Sequence, residues 1–188
     1  MAASLPEKLY RSMAAQAKRR PRVFFSSLAL IIMLLAFPTL LGQGIGLDRS
    51  AEFYFIPPPQ EYIAGEDFDF EVRLKTGGAE VNAMGLHLKF NPIYLQILNV
   101  TTDKSFCVFY TENSYSNTAG LIRISCGAPS PGFRGDSIAV RVKARTVIPG
   151  RAEIRVDDEV SQILANDGKG SNIMKSVPLP LIITTKQL

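Results

Sequence analysis

Val81-Asn82-Ala83-Met84-Gly85-Leu86-His87-Leu88-Lys89-Phe90-Asn91-Pro92 is the stretch that decides the fold. Met84, Leu86, Leu88 and Phe90 alternate with Gly85, His87 and Lys89, which gives a strand one apolar and one polar face. Asn91-Pro92 then stops it, because proline has no N–H to donate to a ladder.

The same period of two recurs on both sides. Phe68, Phe70, Val72 and Leu74 alternate with Asp69, Glu71 and Arg73. Ile138, Val140, Val142 and Ala144 alternate with Ala139, Arg141, Lys143 and Arg145, and Ile154 and Val156 with Glu153, Arg155 and Asp157. Leu179, Leu181 and Ile183 close the series, with Pro178 and Pro180 marking an edge or a strand start. Between these runs lie Pro57-Pro58-Pro59, Gly77-Gly78, Pro129 to Gly132, Pro149-Gly150 and Asn166 to Gly170, which read as turns. A strand with one apolar face needs a second sheet to cover it, so the fold class is all-β, a two-sheet β-sandwich.

The N-terminal part is different. Val23 to Leu41 carries no charge, and Lys18, Arg19, Arg20 and Arg22 precede it. At about 1.5 Å of rise per residue this run is long enough, as a helix, to cross a hydrocarbon core of about 30 Å. The division expected is a cytoplasmic basic segment at 1-22, a transmembrane signal anchor at 23-42, a linker at 43-50 and the sandwich at 51-185. Basic residues are retained in the cytoplasm, so the N-terminus stays inside and the sandwich is extracytoplasmic. Cleavage near Gly44, beside small residues and after Pro38, would instead release a secreted protein. The formal charge of +4 belongs to this address segment: residues 1-22 hold six Lys or Arg against one Glu, leaving 15 basic and 16 acidic residues beyond. A near-neutral domain without a basic stripe argues against nucleic acid as partner.

Several stretches, in order, resemble the bacterial cohesin module. They are Ile63-Ala64-Gly65-Glu66-Asp67-Phe68 with the strand after it, Val81 to Pro92 followed by Leu95 and Val100, Gly120 to Ile124, and Ser137 to Ala144 with Pro149-Gly150. The resemblance implies a jelly-roll topology of about nine strands, akin to carbohydrate-binding modules. It also implies a non-catalytic receptor that grips a dockerin-type partner through one flat sheet face, in polysaccharide-related or envelope assembly. The chain departs from the better-known arrangement in carrying a single module directly behind an anchor.

The chemical inventory agrees with a binder. His87 is the only histidine and tryptophan is absent, so a histidine metal cluster cannot be built; no metal, cofactor or catalytic residue is expected. Acidic neighbours such as Asp157 and Asp158, or Glu66 and Asp67, read as charged turns rather than glycosidase carboxylates. Asn166 to Asn172 surrounds a glycine with oxygen-bearing side chains but lacks the spacing of an EF-hand; a turn is the default and calcium stays open. Tyr110 and Tyr115 are the candidate aromatic platforms for a sugar.

Cys107 and Cys126 are the only cysteines. Export permits their oxidation, and a hairpin turning near Ser116 would set them nearly opposite; the alternative is a pair of buried thiols. His87 and Lys89 should point outward where Met84 to Phe90 point inward, and Arg123 should share that phase between Ile122 and Ile124. These three form the candidate partner-binding patch. The alternatives are a carbohydrate-binding module, expected to show a line of exposed aromatics, and a structural envelope or pilus-like component.

Overall fold

The computed structural model describes residues 50–59 and 61–187. The anchor expected at 23-42, the basic segment before it and nearly all of the linker lie outside the described residues. Among the described residues no helix is long and apolar enough to cross a membrane.

The described residues form eleven strands in two sheets. They are β1 (Glu52–Ile56), β2 (Glu61–Ile63), β3 (Asp67–Lys75), β4 (Val81–Phe90), β5 (Leu95–Thr101), β6 (Phe109–Ser116), β7 (Leu121–Gly127), β8 (Asp136–Thr146), β9 (Gly150–Val156), β10 (Gln162–Ala165) and β11 (Leu181–Lys186). A four-stranded sheet runs β1-β3-β8-β5, and a seven-stranded sheet runs β2-β11-β9-β4-β7-β6 with β10 also paired to β4. Every pairing between strands is antiparallel except β11 with β2.

The core is the meeting of two alternating faces. Phe53, Phe68, Phe70, Val72, Leu74, Val140, Val142, Leu95 and Ile97 from one sheet face Met84, Leu86, Leu88, Ile122, Ile124, Ile154 and Ile183 from the other, all buried. Each such side chain contributes on the order of 1.5–3 kcal/mol by leaving water, which holds the sheets together. The long β4 is central because it faces this core along most of its length.

Two strands exceed the nine expected, and both are short. Pro57-Pro58-Pro59 interrupt the ladder after β1, and the chain resumes as β2 in the other sheet. β10 has four residues, too few for an alternation to register, although its Ile163 is buried. The last strand also begins later than its apolar series suggests. Leu179, between two prolines, lies outside β11 and is 87% exposed, so the inward series starts at Leu181.

The hairpin of β6 and β7 differs in register from the one expected. Its turn is Asn117 to Gly120, and a bulge interrupts β6 between Tyr110 and Glu112, so Cys126 stands opposite Tyr110 rather than Cys107. Cys107 lies just before β6 and is joined to Cys126 by a disulfide, with the Cα atoms 5.9 Å apart. The free edge of β5 is occupied locally by a side chain: Ile97 N–H donates to Asn117 Oδ1 at 2.7 Å, and Asn117 Nδ2 donates to the Ile97 carbonyl at 2.9 Å. Such plugging removes open hydrogen-bonding groups that would otherwise template another strand.

Candidate partner-binding face

On β4 the residues between the core positions turn outward, and the neighbouring strands bring matching positions beside them. His87 stands directly opposite Arg123 on β7, and Lys89 stands opposite Leu121 on β7 and opposite Arg155 on β9. The three residues chosen from the sequence therefore share the outer face of the seven-stranded sheet. Arg151, Glu153 and Arg155 extend that face along β9, each exposed between buried Ala152, Ile154 and Val156. The alternation of β9 is visible in the sequence, but its place beside β4 is not, since 60 or more residues separate them. The β-strand neighbour is a tertiary fact.

Ion pairs organise part of this surface. Lys89 Nζ lies 2.6 Å from Asp157 Oδ2, and Arg123 Nε lies 2.8 Å from Glu112 Oε1. Arg151 is 3.7 Å from Glu153. Among the described residues, Arg155 has no carboxylate at ion-pair distance. The hydrogen bond from Lys89 holds the Asp157 carboxyl below the usual range against the opposing effect of burial, with further help from the Lys89 charge, the Glu159 N–H and the His87 charge.

His87 marks the point where β4 changes neighbours from β9 to β10. Its carbonyl accepts the Asp157 N–H at 2.8 Å, and its N–H donates to the buried Ser161 hydroxyl at 3.1 Å. Asp157 to Ser161 thus leaves the ladder without orphaning the backbone of β4.

At the other end of β4 the strand leaves the sheet before β9 does, and a groove of about 450 Å³ opens between them. Phe90, Pro92 and Tyr94 form its apolar side, with Lys89, Arg151 and Arg155 around it.

The outer face of the four-stranded sheet is built on another rule. Asp67, Asp69 and Glu71 of β3 stand directly opposite Arg145, Lys143 and Arg141 of β8. Arg145 approaches Asp67 at 2.6 Å and Arg141 approaches Glu71 at 2.7 Å. Hydrogen bonding from Arg145 lowers the Asp67 pKa. At Asp136 burial acts upward, yet hydrogen bonds from Tyr54 and Arg73 bring the carboxyl below its ordinary value.

The other groups weighed from the sequence have local tasks. Asp157 is held by Lys89, Asp67 by Arg145, and Glu66 accepts the Ile63 N–H at 2.8 Å. Asp167 Oδ1 accepts N–H groups of Lys169 and Gly170, both at 2.9 Å; the hydrogen bond from the Ser171 side chain first, and then these backbone N–H groups, lower its pKa to about 2. That carboxylate caps a turn, and among the described residues no cluster suited to a metal ion occurs. Tyr110 and Tyr115 donate their hydroxyls to the Thr102 and Leu98 carbonyls, at 3.5 and 3.2 Å.

Comparison with solved structures supplies the fold's name. The cohesin module of a family 33 glycoside hydrolase from Clostridium perfringens superposes with a TM-score of 0.59 at 14% identity, covering 74% of this chain and 98% of that one. The third cohesin of ScaC from Acetivibrio cellulolyticus, in complex with the ScaB dockerin, gives 0.60 at 12% identity over 72% and 98%. A non-cellulosomal cohesin from the archaeon Archaeoglobus fulgidus gives 0.54 at 17% identity over 72% and 91%. The chain has the cohesin fold. No protein-family model matches it, and no curated protein matches it. The cohesin fold accounts for most of the described chain, and at these identities it is the fold alone that is shared.

Proposed function

We propose that the chain is a non-catalytic cohesin-like receptor that binds a protein partner, of dockerin type or another cell-surface protein, through the outer face of β6, β7, β4 and β9. The observation that carries this reading is one broad sheet face on which His87 lies opposite Arg123 and Lys89 opposite Arg155, basic side chains gathered across three neighbouring strands. Lys89 and Arg123 are compensated within the chain by Asp157 and Glu112, and Arg155, which among the described residues has no carboxylate at ion-pair distance, is the basic group an external acidic side chain would join. Solved cohesins of this fold are found in complex with dockerins, which supports a protein as the bound species. The jelly-roll relation to carbohydrate-binding modules keeps a sugar as the competing ligand, but the two candidate tyrosines have their hydroxyls engaged within the chain.

In this reading the receptor is displayed outside the cell on the anchor at 23-42, with residues 1-22 in the cytoplasm and 43-50 as linker, and it serves polysaccharide-related or envelope assembly. The test is capture on immobilised full chain in detergent. A specifically retained species destroyed by protease and untouched by periodate supports the reading; a periodate-sensitive species untouched by protease overturns it. For orientation, a C-terminal tag cut by external protease on intact cells with accessible envelopes is expected. A protected tag would reverse the topology, and a tag in the medium on a protein lacking residues 1-44 would replace the anchor by a cleaved signal.

A further inference from the structure

We infer that the groove beside β9 is a strand-addition slot for a short extended segment of the partner, with acidic residues pointing outward and branched apolar residues pointing inward. This rests on the protein-receptor reading and names the chemistry of what the same face accepts.

The slot follows from the direction of backbone groups. Asp157 N–H donates to the His87 carbonyl, so Asp157 and every second residue before it on β9, namely Arg155, Glu153 and Arg151, aim their N–H and C=O toward β4. The opposite set, Ile154, Ala152 and Gly150, faces β11, where its partners are Leu181, Ile183 and Thr185. Pairing with β4 reaches only from Val156 to Ile154, because β4 ends at Phe90 and turns toward the other sheet. Among the described residues, the backbone of Arg151 and Glu153 therefore has no strand partner on the groove side. Arg151 to Glu153 spans roughly 7 Å at about 3.4 Å per residue, room for about three residues of an added strand.

The surroundings choose the occupant. An incoming residue opposite Ala152 points inward, toward the apolar side formed by Phe90, Pro92 and Tyr94. Its two neighbours point outward among Lys89, Arg151 and Arg155, with Glu153 the one acidic residue lining the groove. Lys89, already paired with Asp157, stands directly opposite Arg155, and it is Arg155 that a carboxylate of the incoming segment would neutralise.

The probe is a fluorescein-labelled, end-blocked Glu-Val-Glu-Val-Glu peptide, followed by anisotropy with the full chain in detergent micelles at low salt. Saturable binding is expected, and none for Lys-Val-Lys-Val-Lys. Methylating the glutamate amide nitrogens should weaken binding by about tenfold or more, since the peptide then cannot donate to β9. Arg151→Ala with Arg155→Ala should weaken it severalfold. No binding of the acidic peptide overturns the slot. Equal binding of the methylated peptide reduces the contact to charge attraction and overturns strand addition, and equal binding by the double variant places the peptide elsewhere. Because the assay needs no natural partner, it separates the two readings: partner capture that depends on His87 and Arg123 without peptide binding retains the receptor and removes the slot.

Discussion

The two outer faces of the sandwich use the same residue types to opposite ends. On the four-stranded sheet each acidic residue from Asp67 to Glu71 stands opposite a basic one across the strand, and Asp67 and Glu71 are ion-paired. On the seven-stranded sheet, Lys89 stands opposite Arg155 and His87 opposite Arg123, with acidic groups supplied from the flanks by Asp157 and Glu112. A face selected for stability alone would resemble the first. Among the described residues, the second leaves Arg155 without a carboxylate at ion-pair distance and the groove side of Arg151 and Glu153 without a strand partner, as the proposed binding face requires.

Replacement of one inward side chain sets the scale against which the faces are judged. Leu88→Ala, on the core side between His87 and Lys89, should cost about 2–5 kcal/mol in chemical denaturation. A cost like that of a surface change would contradict the inward phase of β4. Next in size is the disulfide that ties the segment before β6 to β7. Replacing Cys107 and Cys126 with Ser should cost about 3 kcal/mol in the chain-entropy description, and non-reduced mass spectrometry of freshly isolated protein should show the linked peptides. Two free thiols there would remove the tie from the seven-stranded sheet.

Charge reversal distinguishes the faces by sign. Glu71→Lys breaks a matched contact with Arg141 and should destabilise by about 0.2–1 kcal/mol, whereas Arg155→Glu places an acid opposite Lys89 and should be neutral or stabilising by a few tenths. The same sign for both in thermal unfolding would break the comparison. Acid titration gives a smaller signal. Asp67, Asp136, Asp157 and Asp167 have lowered folded-state values, the last to about 2. Each supports the folded state above its unfolded value near 4 and loses that support as pH falls through its folded value, so stability should decline between about pH 4 and pH 2. Asp167→Asn should flatten the lower part of that decline, and an unchanged profile would contradict its capping role.

The sandwich was legible because its information is local: an alternating strand announces both faces whatever it pairs with. The outward phase of His87, Lys89 and Arg123 was readable for the same reason. Strand adjacency was not. Nothing in Glu153-Ile154-Arg155 tells that β9 lies beside β4, so Arg151 and Arg155 escaped the candidate patch. The register of β6 was lost to the turn, which spans Asn117 to Gly120 rather than centring near Ser116; the bulge after Tyr110 shifts the pairing by one residue only, and β10 was lost to its brevity.

The most direct measurement compares capture by three forms of the full chain: unchanged, His87→Ala with Lys89→Ala and Arg123→Ala, and Asp69→Ala with Lys143→Ala on the opposite face. Thermal midpoints should stay close, since exposed changes cost within about 0.5 kcal/mol. One and the same protein should be retained by the unchanged chain and the four-stranded-face variant and lost from the triple variant. Full retention by a folded triple variant, or loss confined to the Asp69 and Lys143 variant, would contradict the proposed binding face.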